Sequence, residues 1–501
     1  GIDYNRTFGL HKTTALILYN QSKYYSPSLQ YYVPNAYQGL VGRLTYEYAS
    51  RYLAEFNMGY NGTENFAKGK RFGFFPAVSL GWVVSEEKFF PKNNIVKYLK
   101  VRGSYGEVGN DQIGGDRFLY LPSSYGAASD SGVNKYNFGL ASNPYTSLMI
   151  VENKIGNPEL TWEKAKKMNA GVDINLFNNC LTASFDIFKE KRNNILANRS
   201  TSPMIIGANL PAYNFGEMEN RGWEMDLNFR HHIQDFHYWA RFNYSFARNE
   251  IIYMDEVQKR YDYQMTTGRR KNQFFGLIFD GYYNSWEEIN ALDRPKSSWS
   301  GNQLQPGDVK YVDVNQDGVI DDYDMVPIGY TPVPEIIYGF SFGAQYKGFD
   351  FSILFQGADN VSIKYFGRSM WPFAKGEESA KSLIKERWTQ ERYEAGEKIT
   401  FPRLSLNPNG ETDHNYRPST LWIRDASYLR LKNLEVGYTF TGGFVKRLNL
   451  NSVRLYFNGS NLFTWTDVVD LDPEAPSRSG NVEINTYPLQ KVYNIGLNIN
   501  F

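Results

Sequence analysis

Hydrophobic side chains recur at every second position along much of this chain. Between Arg51 and Asn61, Tyr52, Ala54, Phe56, Met58 and Tyr60 share one parity, and Arg51, Glu55, Asn57 and Asn61 share the other. From Leu181 the two sets are Leu181, Ala183, Phe185, Ile187 and Thr182, Ser184, Asp186. From Tyr238 they are Tyr238, Ala240, Phe242, Tyr244, Phe246 and Arg241, Asn243, Ser245. Phe349, Phe351, Ile353 and Phe355 alternate with Asp350, Ser352 and Gln356. Val453, Leu455 and Phe457 alternate with Arg454, Asn458 and Ser460. The chain ends Tyr493, Ile495, Leu497, Ile499, Phe501, with Asn494, Asn498 and Asn500 between. Period two, repeated this often, means strands with one apolar and one polar face. Strands of soluble sandwiches and propellers run about five to six residues. These runs reach about ten, the length a tilted strand needs to cross a bilayer. The expected fold is therefore all-β, a transmembrane antiparallel β-barrel.

The connections between these runs alternate in length. Short ones fall at Gly9 to Lys12, Ala49-Ser50, Asn178-Asn179, Ile233 to Asp235 and Lys347-Gly348. Long ones span 25–37, 109–157, 194–212, 249–333, 359–426 and 464–486. Outer-membrane barrels have short periplasmic turns and long extracellular loops. The alternation predicts about 14–15 strands, the first partial at Asp3 to Phe8. The last strand follows a long loop, so it runs inward and ends in the periplasm at Phe501. An odd count then puts Gly1 outside, whereas a complete bacterial barrel has an even count with both ends inside. Residues 1–501 are thus expected to be the C-terminal portion of a larger barrel.

Composition agrees. Tyr 38, Phe 34 and Trp 10 make the chain 16% aromatic, as suits a boundary between water and an apolar medium. Mean hydropathy is −0.51 and no apolar run reaches the length of a membrane helix, which excludes helical spans but not strands that alternate. The net charge of +1, from 54 basic and 53 acidic residues, gives no support for a nucleic-acid partner. Cys180 is the single cysteine, so no internal disulfide forms, and the five histidines make no HExxH pattern. Gly1 opens the chain without a signal peptide, so the first residue here is expected not to be the first one made.

Several stretches resemble the SusC-like family of TonB-dependent transporters. They are Ala36–Arg43, Tyr52–Gly62, Arg71-Phe72-Gly73-Phe74-Phe75-Pro76-Ala77, Leu99–Gly106, Asn157-Pro158-Glu159-Leu160-Thr161-Trp162-Glu163, Asn220-Arg221-Gly222-Trp223-Glu224, Tyr428–Leu434 and Asn461-Leu462-Phe463. The resemblance spans the whole chain. It implies a 22-stranded barrel, an N-terminal plug, a TonB-binding segment and a SusD-like surface lipoprotein over the pore. The implied cargo is mostly oligosaccharide, sometimes peptide. No stretch of this chain reads as the plug or the TonB-binding segment, so both are expected on another piece of chain.

One motif carries sharper chemistry. Asp313, Asn315, Asp317, Asp321 and Asp324 place oxygen donors at positions 1, 3, 5, 9 and 12 of a calcium-type loop. Gly318 supplies the sharp turn at position 6 and Val319 the backbone carbonyl at position 7. Alternating donors let a short loop wrap a hard cation. Asp324 replaces the usual Glu and reaches less far. The expectation is a structural calcium ion stiffening the 249–333 extracellular loop, where millimolar external calcium is available. The other reading is an acidic solvated loop with Asx turns.

Weaker signals lie in the long loops. Trp286, Trp299, Trp371, Phe373 and Trp388 are candidates to stack on sugar rings, against loop packing or lipoprotein contact as the alternatives. Phe373 to Trp388 reads as a helix within the 359–426 loop. Trp82, Trp162, Trp223 and Trp465 fit interfacial belts at strand ends. No catalytic constellation is visible, so the chain is expected not to be an enzyme. The competing functions are active uptake of a bulky oligosaccharide, uptake of peptides, and a passive porin, which has about 16 to 18 strands and an open channel.

Overall fold

The computed structural model describes every residue except 26–33, 113–116, 122, 128–134, 141–144, 203–209, 300–303, 366–370, 374–381, 406–412, 470, 475–480 and 483–488. Fifteen strands hydrogen-bond to one another in the order in which they occur along the chain. They are β1 Ile2–Phe8, β2 His11–Tyr24, β3 Asn35–Tyr48, β4 Tyr52–Thr63, β5 Phe72–Val83, β6 Val96–Asn110, β7 Glu163–Leu176 and β8 Leu181–Ala197. Then come β9 Tyr213–Ile233, β10 Phe236–Tyr253, β11 Ile336–Tyr346, β12 Phe349–Asp359, β13 Tyr428–Phe440, β14 Ser452–Thr466 and β15 Val492–Asn500. The expected count and partial first strand are both present. By its contacts the chain forms two units. One comprises residues 1–174, 186–222 and 249–257; the other comprises 175–185, 223–248 and 258–501.

In the first unit the register explains the alternation. Leu44 pairs with Phe56, Phe56 with Val78, and Val78 with Tyr105, so four large apolar side chains stand in one row. Each is between 38% and 47% exposed, a cost in water and none in lipid. The neighbouring row, on the opposite face, is Thr45, Glu55, Ser79 and Ser104. The second unit repeats the arrangement. Phe351, Val436, Phe457 and Ile495 form an apolar row beside a polar row of Ser352, Glu435, Asn458 and Asn494.

Arginines tie the polar faces together. Arg102 on β6 reaches Asp186 through two bonds of 2.6 Å and Asp173 at 3.1 and 3.2 Å. Arg454 on β14 donates to Asp350 at 2.9 Å and to Glu435 at 2.5 Å. These pairs tie each arginine to the neighbouring strand and, through Asp186 and Asp350, to the strand beyond it.

At the short-connection end the chain turns back through left-handed residues, Ala49 and Ser50 with φ of 51° and 57°, and Lys347 and Gly348 with φ of 45° and 91°. Two connections there are longer, Val84 to Ile95 and 441–451. At the other end the long connections fold into structure of their own. In the second unit, residues 362–365 pair with 423–425 and 481–482, and 279–282 pair with 309–311. Leu277, Val309, Tyr311, Ile320, Ile363, Tyr365, Trp388, Phe401, Tyr416 and Trp422 close into a buried core beneath them. In the first unit a smaller core gathers Phe66, Phe75, Leu119, Leu160 and Trp162.

One expectation is corrected, and another falls mostly outside the described residues. Trp162 is not interfacial: it is buried, its indole N–H donates to the Arg71 carbonyl at 3.2 Å, and its ring meets Phe75 edge-on. The helix read over Phe373 to Trp388 lies largely outside the described residues. Its described part is a 3-10 segment at Ser382–Glu386, and the α-helical turn begins only at Gln390–Glu394, capped by the Thr389 hydroxyl. Trp388 itself extends between them, its N–H donating to the Phe401 carbonyl at 2.7 Å.

The loop core and the wall rest on different physics and separate experimentally. Phe401 is 1% exposed at the centre of the loop core. Phe401→Ala is expected to destabilise that core by about 3–5 kcal/mol. Limited proteolysis of intact cells will show faster cleavage within 258–426, while the heat-modifiable migration of the folded barrel on gels stays unchanged.

Candidate functional site

The loop assembly of the second unit gathers most of the candidate chemistry. The 313–324 loop is anchored to it from both sides. Ile320 is buried in the core, and residues 319–320 pair in parallel with 296–297. Gly318 has φ of +82°, which only glycine adopts without strain, and its carbonyl accepts from Lys296 N at 2.9 Å.

Within the loop the acidic side chains face backbone amides. Asp313 Oδ2 accepts from Gly318 N at 2.8 Å, Asn315 Oδ1 from Asp317 N at 2.9 Å, Asp317 Oδ1 from Val319 N at 2.9 Å, and Asp321 Oδ1 from Tyr323 N at 2.7 Å. Asp324 is fully buried and closes the ring. Its Oδ1 accepts from Val314 N at 2.8 Å and its Oδ2 from Asp321 N at 2.8 Å. Burial pushes the Asp324 carboxyl above the ordinary carboxylate range and nearby Asp313 adds to this, against the pull of three backbone amides. Asp313 Oδ1 is buried with no hydrogen-bond partner. In this conformation no three His, Cys, Asp or Glu side chains among the described residues converge on one point. The donors are nevertheless all hard oxygens on a closed loop, the set a divalent cation such as calcium takes.

The aromatic candidates separate by burial. Trp388 is in the core and its indole donates to Asn284 Oδ1 at 3.1 Å, which gives it a packing role. Trp299 and Trp371 lean on the core half-buried, and Trp299 also carries the Arg417 guanidinium 4.1 Å above its ring. Phe373 is half-buried beside Trp371, with φ of 58°. Trp286 opens a short helix capped by Ser285 and is 53% exposed, so its ring is free to meet a ligand.

Three ionic hubs have no sequence signature. Glu335, immediately before β11, is 5% exposed and accepts from Arg248 at 2.8 and 2.9 Å, from Arg270, and from Asn360 at 3.3 Å. It joins the top of β10 to two loops. Asp308, 3% exposed, pairs with Arg403 at 2.6 Å and accepts from Asn415 Nδ2 at 2.8 Å. Beside it His414 donates from Nε2 to the Val309 carbonyl at 2.8 Å, and burial lowers its basicity. Arg430, 2% exposed, pairs with Asp472 and Glu474 at 2.6 Å each, and Glu474 also takes Lys432 at 3.1 Å and the Tyr428 hydroxyl at 2.7 Å. The partners are separated by tens of residues in the chain, so only the fold reveals them.

Burial pushes the Glu335 carboxyl up, but Arg248 and Arg270 outweigh it and hold the group below the ordinary range. A depressed carboxylate stabilises the fold above the pKa it has when unfolded, and that contribution is lost as pH falls through the folded value. The clamp on 258–335 is therefore expected to persist through neutral and weakly acidic pH and to fail only below the usual Glu range. Glu335→Gln removes the charge at all pH values. Protease sensitivity of this loop, followed from pH 7 downward at constant salt, will rise late in the native protein and be high throughout in the variant.

Residues 1–462 match the family model described as TonB dependent receptor-like, beta-barrel. The chain is 28% identical to TonB-dependent receptor P3 of Formosa agariphila over 92% of this chain and 45% of the relative. It is also 28% identical to TonB-dependent receptor SusC of Bacteroides thetaiotaomicron over 94% of this chain and 44% of the relative. It thus spans about half the length of the curated relatives it matches. Among solved structures, the RagAB peptide transporter superposes with a TM-score of 0.74 at 22% identity, covering 100% of this chain and 54% of that one. The chain belongs to the TonB-dependent receptor β-barrel family, is SusC-like within it, and is an outer-membrane protein.

Proposed function

We propose that this chain forms barrel wall and external loops of a TonB-dependent importer that takes up a bulky solute, an oligosaccharide, with a SusD-like surface lipoprotein seated on the loops. The observation that carries this reading is the loop assembly itself. Long connections that build a separate buried core present a firm, extended external surface, which suits capture of a large ligand with a partner better than simple diffusion does. The polar wall, tied by Arg102 and Arg454, suits a hydrated path. A plug and a TonB-contacting segment, contributed by the rest of the transporter, would close and energise that path. Peptide import is the second reading, because RagAB, whose fold this chain shares, is described as a peptide transporter. The test uses the whole transporter with its lipoprotein. Oligosaccharide binding, with uptake abolished when TonB is deleted, is the expected result. Binding of peptides alone would replace the cargo class, and steady conductance in planar bilayers without TonB would favour a porin. Within the oligosaccharide reading Trp286 is the exposed stacking platform, and Trp286→Ala lowers affinity by about tenfold, the scale of one lost aromatic contact.

The 313–324 loop fits this picture as a calcium site. Asp313, Asn315, Asp317, Asp321 and Asp324 would supply side-chain oxygens and Val319 its carbonyl, and the ion would stiffen the outer surface without taking part in chemistry. Each of these side chains accepts from a backbone amide and keeps a further oxygen lone pair for an ion. Millimolar calcium, but not magnesium, is expected to raise the loop's resistance to protease. Calcium at about a hundredfold over its dissociation constant adds about 2.7 kcal/mol. Asp317→Asn removes the response, and identical protection with either ion would count against the site.

A further inference from the structure

The connection between β5 and β6 differs from its neighbours. The hairpins around it close through Gly9-Leu10 and through Ala49 to Arg51, whereas this one runs from Val84 to Ile95. The extra chain is built stiff. A 3-10 turn spans Val84–Glu86, Glu87 N and Phe90 N donate to Val84 O and Glu87 O at 3.1 Å each, and Asn93 Oδ1 accepts from Ile95 N at 2.9 Å and Val96 N at 2.8 Å.

It is also folded toward one face of the sheet. Glu87 accepts from the Tyr52 hydroxyl at 2.6 Å and from Trp82 Nε1 at 3.0 Å, with Arg51 at 3.8 Å. Tyr52 and Trp82 are cross-strand partners on the apolar face that carries Phe56 and Val78. Phe89 then stands edge-on to Trp82, with ring centroids 6.3 Å apart, and is 69% exposed. Ile95, 58% exposed, lies immediately before β6. The turn thus lengthens the lipid-facing row at the periplasmic end. Its acid nearest that row, Glu87, is engaged by three partners. Lys88 and Lys92 are exposed beside Phe89, with Glu86 the remaining exposed acid.

We propose that Val84 to Ile95 is a membrane foot that grips the periplasmic leaflet and selects anionic glycerophospholipid. Phe89 and Ile95 sit at the boundary of headgroups and acyl chains, and Lys88 and Lys92 meet the phosphates. Continuity with the lipid-facing row and the paired cations identify the occupant. Apolar side chains flanked by lysine are how interfacial segments bind anionic membranes, and aromatic rings settle at headgroup depth.

The experiment places the full-length transporter in nanodiscs of phosphatidylcholine with or without phosphatidylglycerol. Native mass spectrometry counts retained phosphatidylglycerol for the native protein and for Lys88→Gln/Lys92→Gln. The double variant is expected to retain on the order of tenfold less, with heat-modifiable migration unchanged. In parallel, an environment-sensitive dye is attached through Phe89→Cys in a Cys180→Ser background, with Asn94→Cys as the exposed control. The dye at position 89 is expected to be blue-shifted and quenched by spin-labelled lipid. Equal phosphatidylglycerol retention by both proteins overturns the proposal. So does a dye at 89 that is as wet as the control, or one shielded only when periplasmic protein is added.

Discussion

Within hydrocarbon no backbone amide or carbonyl can be left without a partner, and the wall of this protein answers that single requirement. Each strand satisfies its neighbour through the ladder, so side chains are free to be sorted by parity alone. The sorting is visible in the rows: Leu44, Phe56, Val78 and Tyr105 on one face, Thr45, Glu55, Ser79 and Ser104 on the other. Among the described residues neither face is buried against a second sheet. Arginines on the polar face, Arg102 and Arg454, find carboxylates on neighbouring strands, so the charges in the wall are neutralised locally.

Beyond the bilayer the governing term changes. The long connections of the second unit stand in water and are held by ordinary hydrophobic burial around Phe401, Tyr416 and Trp422. The ionic hubs at Glu335 and Arg430 stand where wall strands become loops. Each is nearly inaccessible to solvent and has several opposite charges around it. Breaking one partner of such a hub leaves a buried charge exposed to its full desolvation cost, which makes the hubs strong fasteners between rigid wall and external surface. Loops that stand above a fluid membrane keep a defined arrangement only with that fastening.

Aromatic residues illustrate how position decides role. Trp82 and Trp465 lie exposed at strand ends, at 40% and 53%, as their place in the alternation implies. Trp162, just before a strand, is instead packed against Phe66 and Phe75, because the loop folds back over it. Trp388 looked available for a ligand by its setting in a long loop, and the core closes over it. Nothing local distinguishes these tryptophans, since each sits in a mixed polar and apolar stretch.

Strand positions, their count, the two faces of the wall and the split into short turns and long loops are legible in the bare sequence. They depend only on period-two alternation and on Gly, Asn and Asp at turns, both of which are local. The spacing of Asp313 to Asp324 is legible for the same reason, because a twelve-residue loop carries its own geometry. Contacts made across long loop closures are not. Glu335 meets Arg270 and Arg248, and Asp308 meets Arg403, only after the strands have fixed where each loop starts and ends. The direction in which Val84 to Ile95 folds was likewise settled by Tyr52 and Trp82 presenting donors to Glu87 across a strand pair. Those choices belong to tertiary structure, since they turn on distances between residues that the chain itself leaves unconstrained.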